Sequence, residues 1–117
     1  MSKNDYHVIV FKILLYFYGC LKRDIAYQDE TFDAAIGDIN RDYLHDVLLM
    51  MQDSGYISGI HSLKAWGTEA IITSEYADIK ITEKGIDYLT QNSTMAKVKA
   101  YFNQLSGLIP SLIKIVL

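Results

Sequence analysis

The spacing of hydrophobic positions is helical in the first half of the chain, close to two residues in a middle stretch, and helical again afterwards. A first helix is predicted from Tyr6 to Lys22, with Asn4 or Asp5 as its cap. Aromatic residues flank its apolar side, so we expect this helix to be central and largely buried. The apolar face is predicted to consist of Val10, Ile13, Leu14, Phe17 and Leu21.

Two shorter helices are predicted next, after a short β-leaning stretch from Ile25 to Tyr27. Asp29 is predicted to cap the second helix and Gly37 to mark its end. The residues of this helix predicted to face the core are Phe32, Ala35, Ile36 and Ile39.

The third helix is predicted to begin after a cap at Asn40 and to end at Gly55, which supplies a left-handed backbone conformation. Its predicted core stripe is Leu44, Val47, Leu48 and Met51. The residues predicted to face outward are Arg41, Asp42, His45, Leu49, Gln52 and Asp53.

Beyond Gly55 the alternation of apolar and polar residues predicts β structure, with Gly67 near a hairpin tip. The predicted strands run from Tyr56 to Ser62, from Glu69 to Thr73 and from Tyr76 to Ile81. Thr82 is then predicted to cap a fourth helix, which begins EKGIDYL and turns Ile86 and Leu89 inward.

The order helix, short strand, helix, helix, hairpin, helix predicts an α+β fold, the winged helix-turn-helix. We assign residues 1–92 to this domain and residues 93–117 to a C-terminal helical extension that packs on the domain or on a second subunit. Ser93 or Thr94 is predicted to cap the extension, and Pro110 to end or kink it.

Two stretches carry a resemblance to a known family: INRDYLHDVLLMMQDSGYISGI, and ITEKGIDYL at the start of the fourth helix. Together with the chain length, they resemble the small YjcQ-type winged-helix proteins of bacterial and prophage genomes. The resemblance extends from the first helix to Leu89. It implies a winged-helix fold, and it brings no established activity, cofactor or catalytic residue. The second stretch is common to many winged-helix regulators, so it indicates fold more than function.

Composition narrows the class of protein further. The chain has 117 residues, half of them hydrophobic, which suits one domain with a sizeable core. Its single cysteine, Cys20, excludes an intrachain disulfide and fits a reducing cytoplasm. The apolar run near the N-terminus matches a lipoprotein signal poorly and is too short for a membrane span, which needs about 20 residues. We therefore expect a cytoplasmic protein without a membrane partner.

No arrangement of residues in the sequence predicts enzyme chemistry, a metal site or a cofactor. His7, His45 and His61 lie in three different predicted elements, without metal-ligand spacing. The sequence GYISG misses the serine nucleophile elbow by one position. Pairs of acidic residues four apart, Asp29 with Asp33 and Asp42 with Asp46, are better explained as solvated helix faces near N-termini.

Charge is unevenly distributed along the chain, whose net charge is −3. Residues 24–53 hold eight acidic side chains against Arg41 alone, a net charge of −7. This field disfavours phosphate, yet the predicted fold is typical of DNA-binding proteins. We expect a small transcriptional regulator of bacterial or prophage origin in which Arg41, His45 and Gln52 read bases and Lys64, on the wing, meets the backbone. The alternative is an adaptor whose acidic face, from Asp29 to Asp53, docks a basic protein partner.

The C-terminal segment carries apolar residues spaced alternately three and four apart, as in a coiled-coil seam. The residues that form this predicted dimer interface are Met95, Val98, Phe102, Leu105, Ile109 and Leu112. Two alternatives stay open: the stripe packs across the first helix as core, or it lies on a membrane surface, where its three lysines give little attraction.

The seam predicts a homodimer. Sedimentation equilibrium at micromolar concentration should therefore give about twice the chain mass of 13.3 kDa. A single species near the chain mass would instead show that the C-terminal stripe is not an interface between subunits.

Overall fold

The computed structural model describes residues 6–63, 67 and 71–92 of the chain. Its helices are α1 (Tyr6–Leu21), α2 (Asp29–Ile36), α3 (Arg41–Asp53) and α4 (Glu83–Asn92). Its strands are β1 (Ile57–Ser58), β2 (Ser62–Leu63), β3 (Ile71–Ile72) and β4 (Lys80–Ile81), with a 3₁₀ turn, η1, at Tyr76–Asp78. The α+β class is confirmed, and the order of elements is compatible with a winged helix.

Several predictions fall outside these residues. They are the helix cap at Asn4 or Asp5, the wing residue Lys64, and everything assigned to residues 93–117, including the dimer seam and Pro110. The division of the chain into residues 1–92 and 93–117 stays a prediction for the same reason.

Helix α1 forms the centre of the molecule, packed against α2, α3, α4 and β4. Nine of its sixteen residues are buried, which confirms the predicted central helix. The prediction that Leu21 joins the apolar face is wrong, because Leu21 is 49% exposed. It is the last residue of the helix, and the chain turns directly after it.

The chain leaves α1 through a left-handed residue, Arg23, at φ 66°. The Arg23 amide donates to the Cys20 carbonyl (3.1 Å), and the Asp24 amide donates to the Gly19 carbonyl (3.0 Å), which is the bonding pattern of a Schellman helix end. The predicted strand from Ile25 to Tyr27 is wrong. The Ile25 amide also donates to the Gly19 carbonyl (3.2 Å), so this stretch belongs to the end of the helix and is not part of a sheet.

The start of α2 is held by the buried Tyr16 of α1, whose hydroxyl bonds to the Thr31 hydroxyl (2.7 Å) and accepts from the Gln28 amide (3.3 Å). The predicted cap, Asp29, is wrong by one residue: Gln28 takes the cap position without a side-chain bond. Asp29 instead accepts a hydrogen bond from the Tyr27 hydroxyl (2.9 Å). Gly37, at φ 84°, ends the helix as predicted.

Helix α3 forms as its sequence predicts. The Asn40 side chain accepts from the amides of Asp42 and Tyr43, which confirms the cap. Gly55 follows the helix at φ 85°, which confirms the left-handed stop. The predicted core residues Leu44, Val47, Leu48 and Met51 are all fully buried.

Within residues 56–63 and 71–82, the β region forms two short antiparallel pairs. Strand β1 pairs with β4, and β2 pairs with β3. The single predicted strand from Tyr56 to Ser62 is therefore interrupted, because Gly59 at φ 92° lies so close to the Asp78 carbonyl that no Cβ would fit. The predicted strand from Tyr76 begins instead as the 3₁₀ turn η1.

Helix α4 is fixed to the end of α3 by its cap, Thr82. The Thr82 hydroxyl accepts from the Gly85 amide (3.1 Å), which confirms the predicted cap, and donates to the Gly55 carbonyl. Gly85 is buried, and a Cβ placed there would lie within 2.3 Å of the Tyr56 carbonyl oxygen. The helix turns Leu89 into the core and leaves Ile86 half-buried.

The crowding at Gly85 reverses an ordinary helix preference. Alanine normally stabilises a helix interior relative to glycine by about 1 kcal/mol. Here we expect Gly85→Ala to lower the free energy of unfolding by about 1–3 kcal/mol, because the backbone of Tyr56 must move. Chemical denaturation measures the change, and Thr90→Ala, at an exposed position of the same helix, is the control with an effect within about 0.5 kcal/mol. A stabilised Gly85→Ala variant would contradict the packing of α4.

Candidate functional site

The solvent-facing side of α3 is acidic. Asp42, Asp46 and Asp53, spaced four and seven residues apart, lie on the side of the helix opposite its core residues, and all three are exposed. We call these three residues the acidic stripe. Two apolar residues lie beside it: Leu49 is half-buried, and Met50 is 51% exposed. The most accessible surface of α3 therefore combines three carboxylates with apolar side chains and has no cation.

Arg41, the arginine of this helix, is turned towards α2. One of its guanidinium nitrogens donates to both carboxylate oxygens of Asp33, each at 2.9 Å. The two side chains are 56% and 46% exposed, so the pair contributes at most about 1 kcal/mol to stability. With Asp38, they line a shallow depression of about 460 Å³ between the end of α2 and the start of α3.

His45 is half-buried against the β region. Its ring meets the Tyr76 ring edge-on, with centroids 6.1 Å apart. Tyr76 belongs to η1 and also packs edge-on against Phe32 of α2, at 5.7 Å. Burial raises the pKa of the Tyr76 hydroxyl, an effect that the nearby Arg41 charge opposes and the Asp33 charge reinforces. His45 therefore lies where the 3₁₀ turn packs on the helices.

Gln52 is held by the backbone of Ile60. Its amide nitrogen donates to the Ile60 carbonyl, and its amide oxygen accepts from the Ile60 amide, both at 2.8 Å. Ile60 is 5% exposed, so these two bonds satisfy backbone groups with little access to water. The Gln52 side chain thus joins the end of α3 to the hairpin.

Arg41, His45 and Gln52 thus lie along one flank of α3, at the same spacing as the acidic stripe but one residue earlier. Each contacts another part of the protein: α2, η1 or Ile60. The structure brings three of the four predicted DNA-reading residues together, on the flank that packs against the protein. Lys64 lies outside the described residues, and the contact of all four with DNA stays a prediction.

The acidic residues of this region are accessible as a group. Of the eight between residues 24 and 53, Asp24 and Asp33 are half-buried and the other six are exposed. Among the described lysines, Lys22 pairs with Asp24, which is one of the eight (3.4 Å), and Lys84 of α4 lies over the Tyr56 ring (5.7 Å). The charge imbalance in the sequence is therefore a property of the surface of α2 and α3.

The described part of the chain lacks two other classes of feature, a metal-binding cluster and a membrane-spanning helix. Among residues 6–63, 67 and 71–92, no three His, Cys, Asp or Glu side chains are grouped so that they would hold a metal ion. None of the helices in these ranges combines the length and apolarity needed to cross a membrane.

The family model of the YjcQ protein matches residues 11–106 of the chain. The chain therefore belongs to the YjcQ family, as the two resembling sequence stretches predict. No curated protein and no solved structure gives a significant match.

The bonds of Gln52 predict that it stabilises the fold. Gln52→Ala would leave the Ile60 amide and carbonyl without partners, so we expect the free energy of unfolding to fall by about 1–3 kcal/mol. The neighbouring Asp53→Ala, at an exposed position, should change it by no more than about 0.5 kcal/mol. Urea denaturation measures the free energy of unfolding of both variants. Equal changes in the two would show that the Gln52 bonds do not contribute to stability.

Proposed function

We propose that this protein is a non-enzymatic winged helix-turn-helix protein that binds a basic segment of a partner protein through the acidic stripe of α3. The observation that carries the proposal is the composition of the exposed side of α3: three carboxylates, beside Leu49 and Met50, with Arg41 turned away to Asp33. In helix-turn-helix proteins the exposed side of the recognition helix is the surface that meets DNA. Its charge here suits a cationic ligand.

The spacing of the stripe defines the partner's chemistry. Asp42 and Asp53 are eleven residues apart, which is about 16 Å along a helix. Opposite charges over this length guide association and select partners, while each exposed pair adds little affinity. An exposed methionine beside the stripe offers an adaptable apolar contact. We therefore expect an amphipathic partner segment with Lys or Arg on both sides of an apolar side chain.

The second candidate is a DNA-binding transcriptional regulator of bacterial or prophage origin. It is supported by the order of elements, in which a pair of helices is followed by a hairpin and a further helix. The exposed pair of Arg41 and Asp33 opens at little cost, so Arg41 remains available to a base or phosphate. The stripe opposes this function, because three carboxylates would face the phosphates on the same helix.

Neutralising the stripe tests the first candidate. The triple variant Asp42→Asn, Asp46→Asn, Asp53→Asn should bind a fluorescein-labelled amphipathic lysine–leucine peptide more weakly than the unaltered protein. At about 0.2–1 kcal/mol for each of the three lost pairs, the total loss is about 0.6–3 kcal/mol, so we expect Kd to rise by roughly threefold to 150-fold. Fluorescence anisotropy at low salt measures the change.

A matched variant controls for net charge: Glu75→Gln, Glu83→Gln and Asp87→Asn remove three exposed acidic groups from other elements. This variant should keep most of the affinity, and equal losses in both variants would contradict a specific role for α3. The same assay with labelled random duplex DNA separates the candidates. DNA binding by the unaltered protein that weakens steeply with salt would favour the regulator over the adaptor.

A further inference from the structure

A second concave site lies away from the acidic stripe, between the end of α1, the loop that follows it, and strand β4. This cavity has a volume of about 300 Å³, at the lower end of the range for small-ligand pockets. Seven of its eleven lining residues have apolar side chains, and polar atoms also contribute to its surface. The lining residues are Phe17, Cys20, Leu21, Arg23, Ile25, Ala26, Tyr27, Ala77, Ile79, Lys80 and Ile81.

The charged residues that line the cavity, Arg23 and Lys80, are both cations. Both side chains are exposed, and neither forms an ion pair with a described acidic residue. The neighbouring Lys22, by contrast, pairs with Asp24. In a chain with a net charge of −3, two cations at one cavity without an ion-pair partner among the described residues are a local exception to the overall field. They favour an anion at this place.

The other titratable groups of the lining do not compensate these cations. Burial raises the pKa of the Cys20 thiol to about 11, although the Arg23 charge acts in the opposite direction. Burial, together with the hydrogen bond to Asp29, also raises the pKa of the Tyr27 hydroxyl. Both side chains are therefore neutral at pH 7, and none of the described lining residues presents an anion to Arg23 or Lys80.

The backbone of Arg23 gives a second, independent observation. Among the described residues, Arg23 alone has a positive φ without being glycine. Glycine is the usual residue at this position of a Schellman helix end, because it adopts the left-handed conformation without strain. Strain of this kind recurs at ligand-binding positions. Arg23 thus lines the cavity in a backbone conformation that arginine rarely adopts.

We propose that this cavity binds a small amphipathic anion, a carboxylate with a short hydrocarbon body. The apolar residues enclose the hydrocarbon, and the carboxylate lies between Arg23 and Lys80 at the rim. A guanidinium binds a carboxylate through charge-assisted and often bidentate hydrogen bonds, which gives orientation as well as attraction. The site shares no lining residue with the acidic stripe, so it functions independently of the binding surface on α3.

Octanoate is a suitable probe, and 1-octanol provides a similar hydrocarbon body without the charge. In methyl NMR titrations, octanoate should shift the signals of Ile25, Ile79 and Ile81 at lower concentration than octanol does. Lys80→Gln should weaken octanoate binding by about tenfold and leave octanol binding unchanged. Lys84→Gln is the matched control, because Lys84 lies over Tyr56 and does not line the cavity.

Arg23→Gly separates ligand binding from folding, because it should raise thermal stability and lower octanoate affinity. Glycine relieves the positive φ, so the thermal midpoint of unfolding should rise, while octanoate affinity should fall by about tenfold. A higher thermal midpoint with unchanged octanoate affinity would overturn the proposal. So would equal affinities for octanoate and octanol, or no shift of the cavity methyl signals at millimolar octanoate.

Discussion

The architecture depends on the burial of α1, which has nine of its sixteen residues in the core. A helix enclosed on several sides cannot leave a polar atom unpaired, yet Tyr16 lies on it with no exposed surface. Its hydroxyl finds partners in Thr31 and Gln28, at the start of α2. The need of the buried Tyr16 hydroxyl for hydrogen-bond partners thereby fixes the position of α2 against α1. Because Asn40 caps α3 a few residues after α2 ends, the same contact also determines where the acidic stripe meets solvent.

The sequence predicts the helices of this fold well because their signals are local. The cap at Asn40, the left-handed Gly55 and the core spacing of α3 depend on residues within the helix or next to it. The β region is predicted less well, because its breaks come from distant contacts. The interruption at Gly59 reflects the approach of Asp78, which is far away in sequence. Likewise, only packing shows that Leu21 lies beyond the core.

The candidate site shows a similar limit. The sequence identifies α3 and its excess of acidic residues. The outward face that it predicts contains both Arg41 and Asp42, so it does not show which of the two side chains is open to a ligand. A helix turns about 100° per residue, so neighbouring positions have different surroundings. Contacts with α2, η1 and Ile60 occupy the flank that carries Arg41. The left-handed backbone of Arg23 could not be predicted from the sequence either, since no neighbouring residue signals it.

The two bonds between Gln52 and Ile60 also have a consequence for how the molecule comes apart. Short β pairs of two residues have little stability of their own. Here the hairpin is joined to α3 through Gln52, while Tyr76 packs on both α2 and α3. We therefore expect the base of the hairpin and the helix pair to open together, as one cooperative unit.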